Sequence, residues 1–91
     1  MNFEYDENKS NINKQKHNID FIEVQKLWLD DDMIEFKSKI KSTETRYLVI
    51  GQINMKYYTV IITYRALNIR IISARKSRKK EIVLYDSIRT G

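Results

Sequence analysis

The 91-residue chain has no cysteine, no proline, two glycines (Gly51 and Gly91) and one histidine, His17. Each scarcity removes something. Without cysteine there is no disulfide framework and no thiolate metal site. One histidine is too few for most catalytic zinc centres, so no metal is expected. Two isolated glycines cannot build a phosphate-cradling loop or a dinucleotide turn, and no cofactor is expected. No apolar run is long enough for a signal peptide or a membrane span. The expectation is a single domain over residues 1–91, cytoplasmic and without a membrane partner. A domain this small has a thin stability margin.

What is present is positive charge. The formal net charge is +5, a balance that favours anionic partners and nucleic acid first. From Arg65 to Lys80 the chain carries Arg65, Arg70, Arg75, Lys76, Arg78, Lys79 and Lys80 with no acid among them. The acids stand elsewhere, among them Glu4, Asp6, Glu7 and Asp30–Asp32.

With turn punctuation scarce, periodicity carries the structural reading. Residues 2–5 suit a short strand. Asp6 is an N-cap for a polar helix ending near His17, and Asn18 suits the left-handed position that ends it. Asp20 and Glu23 have capping-box spacing and open a second helix, whose apolar stripe is Phe21, Val24, Leu27 and Trp28. Residues 33–36 read as a short strand and 37–45 as a mobile loop. Three long strands follow at 46–52, 56–65 and 69–74, rich in β-branched and aromatic residues and joined by short connections, which implies an antiparallel meander. A helix from Ser77 to about Ile88 closes the chain. The order β-α-α-β-β-β-β-α argues an α+β fold, a small antiparallel sheet with helices packed against it.

The chemistry concentrates in few residues. Arg65 and Arg75 stand at the ends of neighbouring strands and are expected to converge on one rim, where two forked guanidiniums can hold a phosphate. Positive charge at the start of the last helix opposes the helix dipole, so the basic run has no evident structural gain. His17 has the natural ionisation for proton transfer near neutral pH. Its competing role is a cation at a helix C-terminus. Glu81 and Tyr85 share one face of the last helix. Glu81 can steer an arginine, and Tyr85 is either a core residue with a wet hydroxyl or an RNA contact. Tyr47, Tyr57, Tyr58 and Tyr64 are either base-stacking or ordinary strand aromatics. The acidic triplet 30–32 reads as a solvated loop.

These motifs together resemble the BrnT-type toxins of bacterial type II toxin–antitoxin systems, nearly end to end. FEYD at 3–6 resembles the family's opening F-E-W/Y-D. Lys9, Asn13, Lys16 and His17 fit its D-x-x-K-x-x-x-N-x-x-K-H helix, and Phe21 with Glu23 its second-helix start. RYLVIG at 46–51 fits R-Y-x-x-I-G. Thr63, Arg65 and IRIISAR at 69–75 match in spacing and identity, and Glu81 with Tyr85 fits E-x-x-x-Y. The departures are Asn18 for Gly, Asp20 for Ser and Arg78 for the Thr that caps the last helix, with Ser77 expected to cap instead.

The resemblance implies a RelE-like fold and an endoribonuclease that blocks growth. It implies a BrnA-type antitoxin whose DNA-binding half is ribbon-helix-helix. Operator DNA is then bound only through that complex, with a homodimer conceivable within a heterotetramer. The reaction expected is attack of a ribose 2′-hydroxyl on the adjacent phosphate without metal. His17 is assigned proton transfer, Arg65 and Arg75 the phosphate charge, and Glu81 the orientation of an arginine. Lys9, Lys16, Arg46 and Tyr85 are assigned to RNA binding. The rival expectation is a non-catalytic RNA binder or corepressor of the same fold.

Overall fold

The computed structural model describes residues 2–90. Five strands and two α-helices run in the order β1 (Asn2–Glu4), α1 (Glu7–His17), a 3₁₀ helix (Glu23–Leu29), β2 (Ile34–Lys37), β3 (Tyr47–Ile53), β4 (Lys56–Arg65), β5 (Asn68–Lys76) and α2 (Lys79–Thr90). The strands form one sheet in spatial order β1-β5-β4-β3-β2. The sheet is mixed rather than purely antiparallel, because β1 pairs with β5 in parallel. The other three pairings are antiparallel.

Local chemistry explains most boundaries. The Asp6 carboxylate accepts from the Lys9 backbone N–H at the start of α1, and Asn18 adopts φ 60° at its end. The Asp20–Glu23 box forms in both directions: Asp20 accepts from the Glu23 N–H at 2.7 Å, and Glu23 accepts from the Asp20 N–H at 3.1 Å. The box nevertheless opens a 3₁₀ helix, not the expected α-helix. Val24 and Leu27, both buried, are three apart, and that spacing serves a three-residue turn as well.

The two hairpins turn without glycine. Asn54 and Met55 both have positive φ, as a type I′ turn requires, and Ala66 has φ 53°. Ile72 is the extra residue of a bulge, since Ile61 pairs with Ser73 and Ile62 with Ile71.

One face of the sheet carries the main core. Val49, Tyr58, Val60, Ile62, Ile69, Ile71 and Ala74 pack there against Ile19, Phe21, Val24 and Leu27. Phe3 meets Trp28 edge-on at 4.9 Å, and Tyr5 meets Phe21 at 5.8 Å. On the opposite face α2 covers one end, with Tyr85 at 1% exposure as its buried side chain. Tyr57 stacks edge-on against Tyr85 at 5.6 Å and donates its hydroxyl to Asp86.

Gly51 lies where the 3₁₀ helix crosses β3. A Cβ there would meet Leu27 Cγ at 3.0 Å and Asp30 Oδ2 at 3.1 Å. Gly51→Val is therefore expected to lift the 3₁₀ helix from the sheet and cost about 1–3 kcal/mol. Denaturant unfolding measures it, and an unchanged midpoint would show that the neighbours yield freely.

Candidate active site

Strand direction decides which cations meet. Arg65 pairs with Asn68, whereas Arg75 pairs with Thr59. Six residues of β4 separate those rows, about 20 Å at strand rise. By alternation both arginines lie on one face, at opposite ends. The expected convergence of Arg65 with Arg75 is corrected: C-terminal ends of antiparallel neighbours lie at opposite rims. Arg65 instead approaches Glu44 at 3.6 Å.

Arg75 has other company. A groove of about 370 Å³ is lined by Lys16, His17, Asn18, Arg75, Lys76 and Arg78. An adjoining hollow of about 210 Å³ includes Lys9, Lys16, His17 and Ser73. The two run between the C-terminus of α1 and the N-terminus of α2, along β5.

Each wall has an identifiable support. Asn13, 6% exposed, donates to the Ile19 carbonyl at 2.8 Å and accepts from the Ala74 N–H at 3.2 Å. This amide fastens α1 to β5 one turn before His17. Ser10 helps from the same helix by accepting the Phe21 N–H at 2.9 Å. Lys16 and His17 are exposed in the last turn of α1, where cations suit the carbonyl end of the dipole.

The opposite wall rests on Glu81. Its carboxylate accepts from Arg75 Nη1 at 2.7 Å and Nη2 at 2.8 Å. It also accepts from the Arg78 N–H at 2.7 Å and the Thr59 hydroxyl at 2.9 Å. Burial disfavours ionising Glu81, but these four donors outweigh it and hold its pKa down at about 2. Glu81 thus stays a carboxylate at neutral pH and is no proton carrier there. The hydrogen bonds that Arg75 itself donates to Glu81 raise the pKa of Arg75 against the effect of burial.

Arg75 Nη1 also reaches the Lys76 carbonyl at 3.4 Å. Of the five guanidinium N–H groups, the Nε–H and one Nη2–H then remain, an unspent fork on the side away from Glu81. Such a pair matches two oxygens of a phosphate.

Glu81 also explains the start of α2. It reaches back to the Arg78 N–H from three residues ahead, one half of a capping box. Ser77 does not cap the helix as expected, because its hydroxyl bonds Thr59 at 2.8 Å. Glu81 supplies the anion that the first turn of α2 otherwise lacks among lysines and arginine.

The assigned residues therefore divide. Lys9, Lys16, His17 and Arg75 are brought to connected grooves, with Glu81 behind Arg75. Arg46 stands at the far end of the sheet, one residue before β3. Tyr85 offers no surface to RNA. It is buried, and its hydroxyl donates to Asp30 Oδ2 at 2.7 Å. Burial and that bond push its pKa up to about 12. Asp30 also accepts the Gln52 N–H at 2.8 Å and the Asp32 N–H at 2.9 Å. The acidic triplet is thus in part an anchor rather than only a solvated loop.

Sequence reasoning left Lys76 and Arg78 unassigned within the basic run and did not give Asn13 a positioning role. For the two cations the signal was their place on either side of the β5–α2 junction. For Asn13 it was a polar residue on a helix with almost no apolar face. Among the described residues no three His, Cys, Asp or Glu side chains gather to hold a metal ion, and no helix is long and apolar enough to cross a membrane.

A family model described as "Ribonuclease toxin, BrnT, of type II toxin-antitoxin system" matches residues 5–81. No curated protein matches the chain.

Proposed function

The chain belongs to the BrnT family of ribonuclease toxins of type II toxin–antitoxin systems, and from that premise we propose that it is a cytoplasmic, RelE-like endoribonuclease working in the groove between α1 and α2. Family membership carries RNA as the target and an antitoxin as the partner. The finer reading is cleavage by 2′-hydroxyl attack without metal, giving growth arrest that a BrnA-type antitoxin relieves. The observation that carries it is the free fork of Arg75, held by Glu81 in a groove shared with His17.

The reaction breaks the bond from phosphorus to the 5′-oxygen and forms one to the 2′-oxygen. The attacking hydroxyl loses a proton and the leaving oxygen gains one. The Arg75 fork takes two phosphate oxygens, where charge accumulates as the fifth ligand forms. Arg78 and Lys16, on either side, add positive potential. His17, in the same groove, is the side chain assigned to proton transfer. Arg65, at the other end of the sheet, has no part in the reacting centre.

Expression of the chain is expected to arrest growth, and co-expression of its antitoxin to restore it. In purified form, His17→Ala is expected to lower kcat by about 10²-fold while leaving KM nearly unchanged. A His17→Ala protein with full activity would move proton transfer to another group and overturn that assignment.

A further inference from the structure

At the far end of the sheet, Lys37, Lys39, Ile40, Lys41, Glu44 and Arg46 line a second hollow of about 370 Å³. Its frame is built rather than loose. The Ser38 N–H donates to the Arg46 carbonyl at 2.8 Å, and the Thr63 hydroxyl, 2% exposed, donates to the Thr45 carbonyl at 2.7 Å. The acid of this segment, Glu44, turns to Arg65 at 3.6 Å. Among the described residues, Lys37, Lys39, Lys41 and Arg46 enter no ion pair. Arg46 Nε is moreover buried with no hydrogen-bond acceptor. A buried Nε–H without an acceptor is costly, because that donor has lost water and gained nothing. An anionic ligand in the hollow would complete it.

We propose that this hollow is a second phosphate-binding subsite, which holds the RNA backbone several nucleotides away from the bond that is cut. The proposal rests on the reading of the α1–α2 groove as the cleavage site. Arg46 precedes Tyr47, the partner of Ile62, so it stands beside Thr63, while Arg75 stands beside Thr59 on the other flank of β4. Four residues along the strand and two strand spacings across place the two backbones roughly 17 Å apart. By alternation both side chains belong to the same face. Arg70, paired with Thr63 and 4.0 Å from Glu4, shares the row of Arg46 but stands on β5, to one side of the direct line between them. At the stacked single-strand rise of ~3.4 Å, a span of that length takes about five nucleotides, and fewer if the strand is extended. The substrate class is single-stranded RNA long enough to reach both ends.

The test compares a trinucleotide with a decanucleotide, using Lys39→Ala/Lys41→Ala and, separately, Arg46→Ala. In the wild type, KM for the decamer is expected to be at least about tenfold below that for the trimer. Both variants are expected to raise the decamer KM by about tenfold, to lessen its dependence on salt, and to leave kcat on either RNA within about twofold. Equal losses on both lengths, or none on the decamer, would overturn the proposal. The exposed lysine pair covers the case in which Arg46→Ala fails to fold. Affinity for a decamer lacking the reacting 2′-hydroxyl reads the subsite without cleavage. If the wild type cuts nothing yet the variants weaken that complex, the cleavage reading fails and the subsite stands. Variants that keep RNA affinity but lose the antitoxin would assign the surface to the protein partner and overturn the subsite.

Discussion

Arg75→Ala is expected to lower kcat/KM for RNA cleavage by roughly 10³-fold. Removing one preorganised donor from a developing oxyanion costs about 10²–10³, and this change removes a fork. It also strips Glu81 of its two shortest side-chain donors, with the carboxylate side chain only 13% exposed. Arg75→Lys separates the two effects. It keeps the charge near Glu81 but not the fork, so stability should largely return while activity stays low. Glu81→Gln should act in the opposite order. It loosens Arg75 and the first turn of α2 while leaving the fork's atoms in place, so activity falls less and melting temperature falls more than in Arg75→Lys.

The pair also sets an acid limit. Glu81 has its folded pKa lowered to about 2 from an ordinary 4.5. A depressed carboxylate contributes stability that is complete above its unfolded pKa and is lost as pH falls through the folded one. That contribution should therefore fade between about pH 5 and pH 2. Glu81→Gln should flatten that part of the stability curve.

Tyr85→Ala is expected to be the most destabilising single change, about 3–5 kcal/mol. A domain of this length has only roughly 5–14 kcal/mol in total, so the melting temperature should fall on the order of 15–30 °C. The cause is specific. Tyr85 is the buried side chain of α2, stacks on Tyr57, and donates to an aspartate that also holds the Gln52 backbone. Tyr85→Phe keeps the ring and leaves Asp30 with its two backbone donors, so about 1–2 kcal/mol is expected. Because α2 carries Glu81, activity near the melting point should track these losses. Well below it, Tyr85→Phe should cleave like the wild type, whereas a direct RNA contact would raise KM at all temperatures.

The elements with chemical signatures were legible in the sequence. Asp6, Asn18 and the Asp20–Glu23 box mark their positions through side-chain hydrogen bonds that need only local geometry. The β3 and β4 strands announce themselves by β-branched and aromatic runs. The parallel pairing of β1 with β5 was not legible, since it joins residues at opposite ends of the chain and leaves no local trace. The helix type at Glu23–Leu29 was ambiguous because a three-residue apolar spacing fits both kinds.

The misplacement of Arg65 has a different origin. A two-residue turn at Ala66-Leu67 sets Arg65 opposite Asn68, and every later residue of β5 then recedes from it. That information was in the sequence, as hairpin arithmetic. Glu81 and Arg75, six residues apart, were visible as candidates for each other because the helix start brings them to one place.

The chemistry assigned to the groove of Arg75 and His17 has a direct measurement: the end groups left on a defined RNA cut by the purified chain in excess chelator. Attack by the neighbouring 2′-hydroxyl leaves a 2′,3′-cyclic phosphate and a 5′-hydroxyl, and chelator changes nothing. Products ending in a 3′-hydroxyl and a 5′-phosphate, or cleavage that stops with the chelator, would contradict it.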